Sequence, residues 1–172
     1  LFRMGTCGSV NPEIEVDQML VTENVVGLDG LMHYYQDYQF ENEFSRNFME
    51  KFPYERIKPM LYFSDWAEDL SELYKDAKYR GNTATFPGFY APQGRQLRLK
   101  ALDDKFLETL NDLGITNFEM ETSAIYGLSK LLGHKAITVN SVIANRRRGE
   151  FSADHKASER NMIEWVLERI IK

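Results

Sequence analysis

"KAITVNSVIAN", residues 135–145, is the stretch whose reading decides the fold. Ala136, Ile137, Val139, Val142, Ile143 and Ala144 leave neither face of the run polar. Such a strand is buried on both sides and needs covering layers above and below it. The flanking chain offers them. Upstream, residues 121–132 carry Ala124, Ile125, Leu128 and Leu132 at helical spacing, with Gly133 as a stop. Downstream, after the polar stretch "RRRGEFSADHK", a last helix sets Ile163, Val166, Leu167 and Ile170 on one face.

The same alternation runs back to the start. Residues 1–4 read as a buried strand ending in a turn at Gly5, and "QMLVTENVV" as a second strand at 18–26. "PMLYFSD" reads as a third, followed by a helix capped by Ser64 with Trp66, Leu70, Leu73 and Ala77 on one face. "YRGNTATFPGFYAPQGR" is a strand running into a loop. A helix over 103–113 points Phe106, Leu107, Leu110 and Leu113 inward and closes at Gly114. Strands alternating with covering helices predict an α/β protein of three layers, a central mixed sheet flanked by helices, in one domain over 1–172. Ligands of such folds sit at the carboxyl ends of strands.

Composition narrows the partners. The 172 residues carry a net charge of -5, which argues against general nucleic-acid or anionic-membrane binding. No apolar run is long enough to span a bilayer. The single cysteine, Cys7, precludes an intrachain disulfide, fits a reducing cytoplasm, and reads as a small turn residue. His33 (after a turn), His134 (opening a strand) and His155 (in a loop) lack metal-ligand spacing, so no metal site is expected. The opening "LFRMGTCGSV" reads as the middle of a strand, as in a piece of a longer chain.

Four segments carry groups that packing alone does not explain, each at an expected strand end. In "RMGTCGSV", Arg3 stands in an apolar strand, and Gly5, Thr6 and Gly8 are expected to expose backbone amides in a tight turn. Guanidinium, hydroxyl and free N–H groups together suit a phosphate; a glycine turn with Arg3 in a structural ion pair is the other reading. In "GFYAPQGRQLR", Gln93 supplies both donors and an acceptor, Arg95 donors only, and Phe89 a face for stacking, a set that suits a heterocycle with adjacent carbonyl and N–H groups. A surface loop would read the same way. "NFEMETSA" sets Glu119, Met120 and Glu121 before a buried helix. One carboxylate suits a helix start, but two flanking a methionine suit a sugar, with its hydroxyls on a carboxylate and its flat face on Met120. "VIANRRRGEF" ends a strand with Arg146 beside a pocket; Arg147 and Arg148 read as solvated, and residues 147–156 as a lid.

Together and in order, "FRMGTCGSV", "FYAPQGR", "FEMETSA" and "VIANR" resemble the nucleoside phosphorylase family, above all its uridine phosphorylase branch. The resemblance covers nearly the whole chain. It implies reversible phosphorolysis of uridine by a pentosyltransferase, with inorganic phosphate as co-substrate, no cofactor, and a homo-oligomer with sites shared between subunits. It implies that Arg3 and Thr6 bind phosphate, with Gly8 in the same segment, and that Phe89, Gln93 and Arg95 hold uracil. Met120 and Glu121 would bind ribose, Glu119 would be the first acid of that segment, and Arg146 would lie near uracil O4. Purine-cleaving relatives carry an Asp after the late strand, where this chain reads "VIANRR". In relatives, further phosphate-binding residues precede the match to "LFRMGTCG", so the resemblance implies a phosphate site only half supplied by these residues.

Overall fold

The computed structural model describes residues 1–103 and 105–171. Seven strands form one mixed sheet: β1 (Phe2–Ser9), β2 (Met19–Gly27), β3 (Tyr62–Asp65), β4 (Tyr79–Thr85), β5 (Ile115–Glu119), β6 (Ile137–Asn145) and β7 (Glu150–Phe151). Five α-helices accompany them: α1 (Glu43–Lys51), α2 (Glu68–Ser71), α3 (Phe106–Asp112), α4 (Thr122–Leu131) and α5 (His155–Ile170). The strand order is β3-β2-β4-β5-β1-β6-β7. β1 runs parallel to β6, and β4 is parallel to both β2 and β5; the remaining pairs are antiparallel. The mixed sheet with flanking helices is the architecture expected from the sequence.

One pairing was not anticipated. Met19–Thr22 of β2 also pair with Thr138–Ser141 of β6, which joins β2, β4, β5, β1 and β6 in a closed circuit. Closure explains why β6 is buried along almost its whole length. Cys7, Leu20 and Val142 form one small cluster with Ile14. A larger core of Val26, Leu28, Phe63, Ala84, Phe86 and Phe118 receives Phe48 and Phe52 from α1 and its end, and Phe106 and Leu110 from α3. α5 covers Ile137 and Val139 with Met162 and Val166.

Several elements differ from the reading of the sequence. β1 does not end at Gly5 but continues to Ser9, paired with β6 through a register shift between Cys7 and Gly8, so Gly5, Thr6 and Gly8 are strand residues and form no tight turn. These two glycines answer close approaches instead. A Cβ on Gly5 would sit 2.6 Å from Arg3 Nη1, and one on Gly8 2.8 Å from Phe118 Cζ. Cys7 accordingly lies buried in a strand, not in a turn. Ser64 pairs with Val25 inside β3 and caps nothing; α2 starts four residues beyond, after Ala67. The helix expected over 103–113 is α3, shorter at its start, where Asp104 lies outside the described residues; Gly114 closes it with φ +88°.

α4 packs on an unexpected face. Ala124, Ile125 and Leu128 are only half-buried and Leu132 is 65% exposed, while Thr122, Ser123, Tyr126, Gly127 and Ser129 are buried. This face is used because it is small and polar where the neighbours come close. Gly127 admits Met32, whose Sδ would lie 2.8 Å from an added Cβ. The Tyr126 hydroxyl donates to Thr22 O (2.8 Å) and accepts from Thr138 N–H (2.9 Å), bridging β2 and β6 where their pairing ends. α5 likewise buries Ser158, Met162 and Val166 and leaves Ile163, Leu167 and Ile170 partly exposed.

The stretch expected as a lid is ordered structure. Arg146–Gly149 turn back, β7 pairs with Ala144 and Asn145, and Asp154 caps α5 by accepting from Ala157 N–H (3.0 Å). His155 is the first residue of α5, and His134 precedes β6 without belonging to it.

Candidate active site

β1 and β5 pair at Gly8–Phe118 and Ser9–Asn117. Beyond Phe118 the two strands part, and a cleft of about 380 Å³ opens between them, the size range of small-molecule sites. Thr6, Gly8, Phe89, Gln93, Arg95, Glu119, Met120, Glu121 and Arg146 all line it. Four segments far apart in the chain therefore converge as read from the sequence. Arg3 stands just behind this lining and reaches the cleft through the two glutamates.

The Arg3 guanidinium is held from three sides. Nη1 donates to Asn140 Oδ1 (2.7 Å), while Nη2 lies 2.9 Å from Glu119 Oε2 and 2.6 Å from Glu121 Oε2. The two carboxylates are not equivalent. Glu119 is buried and saturated: Oε1 accepts from the Thr85 hydroxyl (2.6 Å), and Oε2 accepts from the backbone N–H of Glu121 (2.9 Å) and Thr122 (2.8 Å). It thus fixes the first amides of α4 and the guanidinium at once, and removing it would leave a cation that is 11% exposed with Glu121 as its remaining carboxylate partner. Glu121, at the N-cap of α4, makes no side-chain cap and its side chain is 58% exposed. Its carboxylate is available to a ligand in the cleft.

The other wall is cationic and aromatic. A single helical turn, Ala91–Gln93, ends at Gly94 with φ +70° and buries Gln93 to 2% exposure. Arg95 then folds back, its guanidinium carbon 4.0 Å from the centre of the Phe89 ring. Arg146, at the end of β6, lies half-buried against Phe118. Burial, and secondly the charge of Arg95, holds the Arg146 guanidinium below its usual pKa. Among the described residues, Arg95 Nε and Arg146 Nη1 are buried donors with no hydrogen-bond partner. Two like charges lining one cleft suit an acceptor-rich or anionic group.

Asn145 belongs to the scaffold. Its Nδ2 donates to the carbonyls of Asn11 and Ile14, and its Oδ1 accepts from the N–H of Arg147 and Arg148, shaping the turn that carries Arg146. Cys7, Phe118, Ile143, Ala144 and Phe151 also line the cleft and were not singled out from the sequence. Their only signal there is apolarity, which core residues share. Burial pushes the Cys7 thiol up to about 12, so it is no nucleophile at neutral pH. A larger, more open groove of about 960 Å³ lies among Met32, His33, Tyr38, Phe40, Met49 and Tyr62, but none of its lining residues has a buried unpaired donor.

Fold and cleft together define an α/β protein with a cleft of small-molecule size, acidic and cationic at one end and aromatic and cationic at the other. The family model of the phosphorylase superfamily matches residues 1–172, and the chain belongs to that superfamily. Its relatives include a uridine phosphorylase of Thermococcus kodakarensis, 27% identical over 92% of this chain and 52% of that protein. A uridine phosphorylase of Haemophilus influenzae is 28% identical over 96% of this chain and 62% of its own length. A DeoD-type purine nucleoside phosphorylase of Shewanella loihica is 26% identical over 99% and 63%. A Trypanosoma brucei nucleoside phosphorylase, whose crystal structure is described as showing uridine phosphorylase activity, superposes with a TM-score of 0.86 at 27% identity. That match covers 99% of this chain and 62% of the other. The chain thus spans between about half and two thirds of the length of these relatives. Among the described residues, no helix is long and apolar enough to cross a membrane.

Proposed function

We propose that this chain carries the nucleoside site of a phosphorylase that converts uridine and inorganic phosphate reversibly to uracil and ribose 1-phosphate, in cytoplasmic pyrimidine salvage. The observation that carries the reading is that the Arg95 and Arg146 guanidinium groups, the Gln93 amide and the Phe89 ring line one cleft together. Uracil matches this set: carbonyl oxygens for the guanidinium groups, a carbonyl and N–H edge for the Gln93 amide, and a ring to stack on Phe89. Glu121 accepts the ribose hydroxyls, Met120 packs on the sugar, and Glu119 holds Arg3 and α4 in place. Arg3 and Thr6 take the phosphate.

In the reaction a phosphate oxygen bonds to the sugar C1′ as the bond from C1′ to uracil N1 breaks. The bonding pair leaves with uracil and spreads to its carbonyl oxygens, where Arg95 and Arg146 stabilise it; N1 then takes a proton from solvent. Charge that develops in a desolvated site beside fixed donors is stabilised most at the transition state. Both reactants are held in line, so no covalent enzyme intermediate is needed. The complete phosphate site and the homo-oligomer sharing it belong to the same proposal.

A purine nucleoside is the second reading, favoured by the DeoD-type relatives. Against it, the end of β6 and the turn after it, residues 145–149, offer Asn145 and Arg146 and no carboxylate that could protonate a purine nitrogen. The test is an assay of base and ribose 1-phosphate release by the full-length protein from uridine, 2′-deoxyuridine and inosine, with and without phosphate. Phosphate-dependent uracil release is expected. Preferential release of hypoxanthine would select the purine reading, and cleavage independent of phosphate would mark a nucleosidase. Tight uracil binding without turnover would mark a non-catalytic binding protein.

A further inference from the structure

A directional chain of buried side chains ends on Arg3. Thr83 Oγ1 donates to Asn117 Oδ1 (3.0 Å), so in its 2.7 Å contact with Thr22 Oγ1 it must accept. Thr22 therefore spends its proton on Thr83, and its own oxygen accepts from Asn140 Nδ2 (3.3 Å). That leaves the Asn140 amide one orientation, with Oδ1 turned to Arg3 Nη1 at 2.7 Å. A flipped amide would set its NH₂ group against the guanidinium, a donor against a donor, and its oxygen against the accepting Thr22 oxygen. Thr22, Thr83, Asn117 and Asn140 are all fully buried, so the chain is shielded from competing water.

We propose that Asn140 is a positioning residue for phosphate: with Thr22 behind it, it locks the Arg3 guanidinium in the orientation that receives the anion. The inference rests on the reading of Arg3 as a phosphate ligand. Glu119 and Glu121 both grip Nη2, and two carboxylates on one nitrogen leave the guanidinium free to swing about that end. Asn140 holds the opposite nitrogen, Nη1, and does so with a neutral acceptor. A carboxylate there would fix the same orientation but oppose a phosphate dianion.

The experiment compares the full-length wild-type protein with Asn140→Leu, which keeps the volume and removes the acceptor, and Asn140→Asp, which keeps the acceptor and adds charge. Phosphate KM should rise about tenfold in Asn140→Leu, the size of a lost hydrogen bond to a charged group, with a smaller change in uridine KM and in kcat. In ¹⁵N NMR, the separate Nη signals of Arg3, assigned by their loss in Arg3→Lys, should merge in Asn140→Leu and stay resolved in Asn140→Asp. Asn140→Asp should nevertheless raise phosphate KM. If Asn140→Leu does not fold, Thr22→Val carries the test, with a smaller rise in phosphate KM expected. An unchanged phosphate KM, an equal rise for uridine and phosphate, or unaltered Arg3 signals would overturn the inference alone. A wild-type protein that phosphorolyses no nucleoside would overturn the functional reading and this inference with it.

Discussion

The guanidinium of Arg3 lies over Gly5, two residues on in the same strand, so closely that a Cβ there would stand 2.6 Å from Nη1 and 2.8 Å from Cζ. Gly5 has no positive φ, so its glycine is needed for space and not for backbone shape. Gly5→Ala should push the guanidinium out of its clamp. Overpacking of this kind costs about 1–3 kcal/mol. The expected result is a modest fall in Tm with a marked rise in phosphate KM; a rise confined to uridine KM would place the Arg3 clamp on the sugar side instead.

Gln93 and Arg95 should govern use of the base. A charge-assisted hydrogen bond in a desolvated site is worth on the order of 2 kcal/mol, about thirtyfold. The double variant Gln93→Ala, Arg95→Ala should lose at least that factor in kcat/KM for uridine. Normal cleavage of uridine by it would remove these residues from base recognition.

Glu121→Gln keeps the shape of the side chain and removes the charge that pairs with Arg3 and accepts hydroxyl protons. Uridine should lose more kcat/KM than 2′-deoxyuridine, which has one hydroxyl fewer to offer. Equal losses for the two substrates would return Glu121 to the structural role of a partner for Arg3.

Cys7 offers a pH test of the fold. Its thiol is pushed from 9.0 to about 12 by burial, first of all, with Glu119 adding to the rise. The folded state therefore holds the proton more tightly than the unfolded chain. This contribution to stability is complete below about pH 9 and is lost as pH rises towards 12. Alkylation by iodoacetamide at pH 9 should proceed only as fast as the protein unfolds. Rapid labelling of the native protein would show an open path to the thiol.

Much of this was legible in the residues. β6 was readable because a strand buried on both faces must be apolar at both alternations, and 137–145 nearly is. The four candidate segments were readable because Arg3, Gln93, Glu121 and Arg146 are polar groups set in or beside stretches that otherwise build core, although Arg3 stands at the start of β1 and Gln93 in the loop beyond β4. The turn at Gly5–Gly8 was misread because a glycine answers equally to a positive φ and to a close neighbour. Only the neighbour, the Arg3 guanidinium at one and the Phe118 ring at the other, separates the two.

What the sequence alone determined was the alternation of strands and helices and the types of group at the strand ends, because both follow from local polarity and period. Tertiary structure decided which side of α4 and α5 faces inward, that β2 meets β6, and that one glutamate is consumed in the scaffold while the other stays open. Glu119 and Glu121 are two residues apart and chemically identical. Thr85, the amides at the start of α4 and the parting of β1 from β5 surround the first with donors and leave the second at the cleft. Those partners come from segments distant in the chain, and no local pattern of charge or apolarity records how closely they approach.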